Sequence, residues 1–82
     1  MADTPVLDTT GLRCPLPVIK TEAAMRRLSS GQQLEVIADD PLAAIDIPHF
    51  CREAGHDVQE LKNENGKCVF LVTAGGKIGS SL

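Results

Sequence analysis

The chain is 82 residues long, carries a formal net charge of −3 and contains 2% aromatic residues, with neither Trp nor Tyr. This length predicts one domain, which buries only about two-thirds of the surface of its unfolded chain. An acidic chain without these rings lacks the basic face and stacking platforms that are typical of nucleic-acid binders. No apolar run approaches the ~20 residues that a membrane-spanning helix needs.

The cysteine content indicates a reducing compartment. The sequence holds three cysteines, Cys14, Cys51 and Cys68, whereas a secreted chain of this size more often carries an even number in a disulfide framework. The first residues, Met1–Thr4, show neither the charged region nor the apolar region of a signal peptide. We therefore expect a cytoplasmic protein with free thiols.

Apolar residues, prolines and glycines predict six elements in the order β-α-β-α-β-β. The first strand, the first helix and the second strand form a βαβ unit, whose two strands should be parallel. Asn65-Gly66 indicates a type I′ hairpin between the last two strands. The strands are expected at Pro5–Asp8, Gln33–Ala38, Val58–Asn63 and Cys68–Ala74, and the first helix at Pro15–Ser29. The domain would then comprise residues 1–74, with a disordered tail at 75–82.

Pro48 interrupts the second helical region. We expect a short turn from Pro41 to Ile45, followed by a helix that restarts with Asp46 as its cap and ends at Gly55. In the strand that follows, Val58 and Leu61 differ in parity, which predicts a bulge or an irregular start. Capping is the preferred role, and a catalytic carboxylate the alternative, for Asp39, Asp40 and Asp46.

The segment Gly11–Pro17 places a cysteine at the start of the first helix. Proline is tolerated in the first turn of a helix and excludes the preceding residue from it, so Cys14 is the expected N-cap. The N–H of Leu16 and the helix dipole would then face the sulfur, and Arg13 adds a positive charge. Such surroundings lower the pKa of a thiol and predict a reactive thiolate. The alternative is an inert, buried cysteine, the role expected for Cys51 and Cys68.

The first helix has two apolar faces. The face predicted to pack on the core carries Val18, Thr21, Ala24, Met25 and Leu28. The opposite face carries Leu16, Ile19 and Ala23, interleaved with basic side chains. Those basic residues form either a solvated rim or, with Ile19, a docking patch for an acidic partner surface; they are Lys20, Arg26 and Arg27.

Arg13-Cys14-Pro15-Leu16-Pro17 resembles the Cys-Pro-x-Pro motif of the TusA (SirA-like) sulfur-carrier family. Four later blocks, in the same order, extend the similarity over Leu7 to Val72: Asp39-Asp40-Pro41, Asp46-Ile47-Pro48, Phe50-Cys51 and Gly55-His56. The resemblance implies a two-layer α/β sandwich, with a four-stranded mixed sheet and both helices on one face. It also implies that Cys14 is the persulfide-forming nucleophile, supported by Arg13, Pro15, Leu16 and Pro17.

The partners that this resemblance implies are proteins. Cys14 would accept sulfur from a cysteine desulfurase or a rhodanese-type protein and pass it to an acceptor protein. The commonest pathway is tRNA 2-thiouridine synthesis, and related members resemble components of sulfur-oxidation and molybdenum-cofactor routes. We expect a monomer that binds neither a membrane nor nucleic acid directly.

No bound cofactor and no metal are expected. The sequence has no glycine-rich phosphate loop, and the spacing of His49, Cys51 and His56 fits no standard zinc pattern. Two other classes of function stay open. Cys14 could act as the redox sensor of a regulatory binding module. The fold implied by the resemblance is also similar to a domain of a translation initiation factor, which leaves an RNA-binding module as the second alternative.

Overall fold

Four strands and two helices account for most of residues 4–75, the part of the chain that the computed structural model describes. The order is β-α-β-α-β-β, as predicted. The strands are β1 (Val6–Asp8), β2 (Gln33–Ala38), β3 (Asp57–Glu64) and β4 (Lys67–Thr73), and the helices are α1 (Leu16–Met25) and α2 (Ala43–Glu53).

The strands form one mixed sheet in the order β1-β2-β4-β3. β1 and β2 are parallel, as expected for a βαβ unit, and β4 is antiparallel to both β2 and β3. The turn between β3 and β4 has positive φ at Asn65 (54°) and Gly66 (78°), which confirms the predicted type I′ hairpin. The register of β3 against β4 shifts between Glu60 and Lys62, which confirms the predicted irregularity near Leu61.

Both helices pack against the same face of the sheet. Along β2, Leu34, Val36 and Ala38 are buried while the residues between them are half-exposed. Val36 is paired with Phe70 on β4, and Phe70 is equally buried. The buried strand residues form a single cluster with buried residues of both helices: Met25 on α1, and Ala43, Ile47 and Cys51 on α2. This arrangement is the two-layer sandwich that the resemblance implied.

Helix α1 is shorter than predicted. It ends at Met25 instead of Ser29. Beyond this end, the N–H of Arg27 donates to the carbonyl of Ala24, and the N–H of Leu28 donates to the carbonyl of Met25. Such i to i−3 bonds close the last turn of a helix with 3₁₀ geometry. The core face matches the prediction, since Thr21 and Met25 are buried and Val18, Ala24 and Leu28 are partly buried.

Helix α2 is continuous, so the predicted break before Asp46 is wrong. Pro48 lies inside the helix, at the cost of one backbone hydrogen bond. Ala43, Ile47 and Cys51 recur every four residues and are all fully buried. Burial of this stripe favours one helix over two, because a break would rotate part of the stripe out of the core. Neither helix is long and apolar enough to cross a membrane.

The end of the described chain is attached to the domain. The N–H of Gly75 donates to Nδ1 of His56 (3.0 Å), and the hydroxyl of Ser30 donates to the carbonyl of Gly75 (2.6 Å). Gly75 is therefore held at the position where the tail was predicted to begin. The rest of that prediction, for residues 76–82, lies outside the described residues, and the division at residue 74 stays a prediction.

Candidate active site

The parallel pairing of β1 and β2 brings two loops together. The carboxyl ends of parallel strands meet at one edge of a sheet, where the segments that follow them become neighbours. Cys14 lies in the loop between β1 and α1, and Asp39 and Asp40 lie in the loop between β2 and α2. The topology therefore places the predicted nucleophile beside two carboxylates.

Asp40 holds the backbone of the cysteine loop. Its Oδ2 accepts the N–H of Cys14 (2.6 Å), and its Oδ1 accepts the N–H of Leu42 (3.1 Å). The residue is only 6% exposed. The hydrogen bond from Cys14 is the main cause that lowers the pKa of the Asp40 carboxyl, and the hydrogen bond from Leu42 and the positive charge of Arg13 add to it. Asp40 thus joins the Cys14 loop to the entrance of α2.

The thiol of Cys14 points to a second carboxylate. Its Sγ donates to Oδ2 of Asp46 on α2, at 3.0 Å, and the residue is half-buried. This hydrogen bond raises the pKa of the Cys14 thiol, and so do burial and the negative charges of Asp46 and Asp40. The prediction of a lowered pKa is therefore wrong for this arrangement, in which the Cys14 thiol donates a hydrogen bond to Asp46.

The start of α1 also differs from the prediction. The N-cap is Pro15 instead of Cys14, and the N–H of Leu16 donates to the carbonyl of Arg13 (2.8 Å) instead of facing the sulfur. The guanidinium of Arg13 contacts the Asp39 carboxylate, with 3.4 Å between Nη1 and Oδ1. Asp39 also accepts the N–H of Gly11 (3.0 Å). The Leu16 N–H and the Arg13 guanidinium, which were expected to favour a thiolate, thus bond other groups.

The other predicted supporting residues flank the thiol. Pro17, in the first turn of α1, is buried, whereas Pro15 is exposed and Leu16 is 44% exposed. The predicted docking residues lie on the outer side of α1 and just after it. Ile19 is 50% exposed, Lys20 and Arg27 are exposed, and Arg26 is exposed with its guanidinium 2.9 Å from Glu22. Accessibility permits docking there, and the docking role itself stays a prediction.

The remaining thiols differ sharply from Cys14. Cys51 is fully buried and Cys68 is 6% exposed. Burial raises the pKa of both thiols, that of Cys51 to about 11. Both are free in the structure, as is Cys14. Within residues 4–75, no group of three His, Cys, Asp or Glu side chains could hold a metal ion. Cys14 alone among these thiols combines access to solvent with polar neighbours.

Comparison with known proteins agrees with the motif at Cys14. The model of the family described as "Sulfurtransferase TusA" matches residues 6–74. The chain belongs to the TusA family. This membership confirms the resemblance that begins at the Cys-Pro-x-Pro motif and covers nearly all of the described residues.

TusA-family proteins from several bacteria are similar to this chain. It is 42% identical over 66 residues to the "Sulfur carrier protein TusA" of Allochromatium vinosum, covering 80% of this chain and 87% of that protein. It is 41% identical over 70 residues to the "Putative sulfur carrier protein YrkI" of Bacillus subtilis, covering 85% and 93%. The crystal structure of a SirA-like protein from Desulfitobacterium hafniense superposes with a TM-score of 0.78 at 25% identity, covering 88% of this chain and 99% of that one.

Sequence reasoning placed the TusA-family cysteine but missed what surrounds it. Asp40 and Asp46 were interpreted as helix caps, with a catalytic carboxylate as the alternative. The capping role is wrong for Asp46, which lies inside α2, whose N-cap is Leu42. In the structure both carboxylates bond Cys14. The predicted parallel pairing of β1 and β2 was a signal for Asp40, because it brings the loops after these strands together. Asp46 had no such signal. Its reach to Cys14 depends on α2 being one continuous helix, and Pro48 argued against that.

Proposed function

We propose that this chain is a sulfur carrier whose cargo is a persulfide on Cys14. The observation that carries the proposal is the position of the Cys14 thiol, which is half-exposed in the Cys-Pro-x-Pro loop while Cys51 and Cys68 are buried. Similar TusA-family proteins bear the name sulfur carrier protein. A carrier needs one accessible sulfur on a rigid base, and the two prolines that follow Cys14 restrict the loop.

The chemistry is a thiol–persulfide exchange. The sulfur of Cys14 attacks the terminal sulfur of a donor persulfide, and the donor's cysteine leaves as a thiolate. A cysteine of the next protein later attacks the terminal sulfur on Cys14 in the same way. Access and the acidity of the leaving thiol govern both steps. Neither step uses a bound cofactor, because the transferred sulfur atom is itself the cargo.

The proposed donor is a cysteine desulfurase or a rhodanese-type protein, and the acceptor is another protein thiol. The route proposed first is tRNA 2-thiouridine synthesis in the cytoplasm, where the three free thiols would stay reduced. Sulfur oxidation and molybdenum-cofactor synthesis are the alternative routes. In each of them the carrier meets proteins and does not need to bind nucleic acid.

Docking of these partners is proposed on the face of α1 next to Cys14. Ile19, 50% exposed, lies one turn from Leu16, 44% exposed, and Leu16 lies two residues from Cys14. Exposed basic residues follow this apolar centre along the chain: Lys20 comes directly after Ile19, and Arg26 and Arg27 come directly after the end of α1. Apolar side chains with a basic border fit a partner surface that is apolar at its centre and acidic at its rim.

Mass spectrometry tests the proposal directly. The protein is mixed with a cysteine desulfurase and L-cysteine and then weighed without a reducing agent. We expect a gain of about 32 Da, the mass of one sulfur atom. The gain should vanish in Cys14→Ser and persist in Cys51→Ala, which serves as the matched cysteine control.

Three results would contradict the proposal. One is the absence of any sulfur adduct on the wild-type protein with both a desulfurase and a rhodanese-type donor. Another is a mass gain at Cys14 only after peroxide, as about 16 Da of oxygen, with no sulfur gained from either donor, which would indicate a redox sensor. The third is salt-dependent binding of RNA without sulfur loading, which would favour the nucleic-acid alternative.

A further inference from the structure

The proposed carrier role does not by itself explain how the Cys14 thiol loses its proton beside the Asp46 carboxylate. A sulfur nucleophile must lose its proton before or during attack, because the thiolate is the reactive form. In this structure the hydrogen bond to Asp46, burial and the charges of Asp46 and Asp40 raise the pKa of the Cys14 thiol. Among the described side chains, Asp46 is the one that accepts a hydrogen bond from the Cys14 sulfur.

We propose that Asp46 is a catalytic residue that takes the proton of Cys14 as the sulfur attacks the donor persulfide. The inference rests on the proposed carrier function and assigns a role to a residue outside the Cys-Pro-x-Pro motif. The supporting geometry is a hydrogen bond of 3.0 Å between Sγ and Oδ2, within the reach that general base catalysis needs. Asp46 lies on helix α2, which is anchored by the fully buried Ile47 beside it.

The step balances without an oxidant or a reductant. The S–H bond of Cys14 breaks, and its proton passes to Oδ2 of Asp46. The electron pair left on Sγ forms a bond to the terminal sulfur of the donor persulfide. The S–S bond of the donor breaks, and its electron pair stays on the donor's cysteine sulfur as a thiolate. Asp46 then releases the proton to solvent or to that leaving thiolate.

The other charges at the site support this division of roles. Asp40 also faces Cys14, but its two oxygens are occupied by the N–H groups of Cys14 and Leu42. Asp39 bonds Arg13 and the N–H of Gly11. Among the described carboxylates near the loop, Asp46 is thus the one bonded to the sulfur itself, while Asp40 and Asp39 position the backbone.

A competing explanation makes the opposite prediction. Asp46 could merely suppress the reactivity of Cys14 by repelling the thiolate. Asp46→Asn would then speed every reaction of the sulfur. If Asp46 takes the proton during attack, Asp46→Asn changes two measured properties in opposite directions. The thiol ionises more easily, but its attack on a persulfide at neutral pH becomes slower because the proton acceptor is gone.

The experiment compares wild type, Asp46→Asn and Asp46→Glu, with Asp57→Asn as a charge-matched control at the far edge of the sheet. The probe is glutathione persulfide, a small donor that makes no use of a docking surface. Two rates are followed for each protein: alkylation of Cys14 by iodoacetamide against pH, and gain of one sulfur by mass at pH 7. Circular dichroism establishes that each variant is folded.

For Asp46→Asn we expect the pH profile of alkylation to shift to lower pH. We expect sulfur loading to slow at least about tenfold, a smaller factor than general base catalysis typically contributes. Asp46→Glu should recover part of the loading rate, and Asp57→Asn should match wild type in both assays. Faster or unchanged loading in Asp46→Asn would overturn the inference. Failure of wild type itself to gain sulfur would instead overturn the proposed function, so the two failures are distinguishable.

Discussion

At the scale of single residues, Asp40 joins the Cys14 loop to the segment that leads into α2. One carboxylate accepts two backbone N–H groups from different loops, those of Cys14 and Leu42. A nearly buried acceptor with two donors cannot be replaced by an amide without loss, because an amide offers only one oxygen. Asp40 therefore holds the backbone of Cys14, from which the sulfur projects.

We predict that Asp40→Asn lowers the free energy of unfolding at neutral pH and flattens its dependence on pH in acid. The folded protein lowers the pKa of Asp40. Its stabilising contribution is therefore complete above the ordinary carboxyl pKa of about 3.9 and is lost as the pH falls through the lowered value. Urea unfolding from pH 7 down to about pH 2 measures both effects. Parallel curves for wild type and variant would show that Asp40 does not act in this way.

At the scale of elements, the regions of α1 and α2 contribute different groups to the site. The loop before α1 supplies the sulfur, and α2 supplies the carboxylate that bonds it. The outer side of α1 leaves Leu16 and Ile19 exposed, at 44% and 50%. Under the proposed carrier function, these two exposed apolar side chains are the part of α1 that we expect to contact a partner protein.

We predict that reversing two charges after the end of α1, Arg26→Glu with Arg27→Glu, slows sulfur loading from a desulfurase by roughly tenfold at low salt, because rim charges steer association. Loading from glutathione persulfide should be unchanged, since that donor does not dock. Lys62→Glu with Lys67→Glu, on β3 and β4, is the matched control. Equal loading rates for the two double variants would show that Arg26 and Arg27 are not part of the docking surface.

At the scale of the whole molecule, one small core supports the site. The fully buried Ile47 contributes to the cluster that joins both helices to the sheet, and it is the neighbour of Asp46. A chain of 82 residues has little stability to spare. The position of Asp46 therefore depends on the same packing that keeps the domain folded.

We predict that Ile47→Ala lowers the free energy of unfolding by about 2–5 kcal/mol, through lost burial and the cavity left behind. Ile45→Ala is the matched control on the same helix. Ile45 is 68% exposed, and surface changes of this kind usually stay within about 0.5 kcal/mol. Chemical unfolding measures both. Similar losses for the two variants would contradict the burial of Ile47 in the core and the exposure of Ile45.

Local signals in the sequence were sufficient for much of the fold. The bounds of β2, the parallel βαβ unit and the Asn65-Gly66 hairpin were all predictable, because apolar alternation and positive φ are properties of neighbouring residues. The end of α1 and the continuity of α2 were not. Both depend on which residues the sheet buries, and at Pro48 that burial outweighed the local preference for a break.

By itself, the sequence determined the fold class and the family motif, and it predicted which cysteine is the nucleophile, since each is written in residues that are close together. Only the tertiary structure decided the electrostatics around that cysteine. Asp46 is 32 positions from Cys14 along the chain and 3.0 Å from its sulfur. The pKa of a thiol responds to whatever charge stands within a few ångströms of it. Dipole and neighbour arguments favoured a thiolate, and the packing of α2 beside the loop reversed that direction.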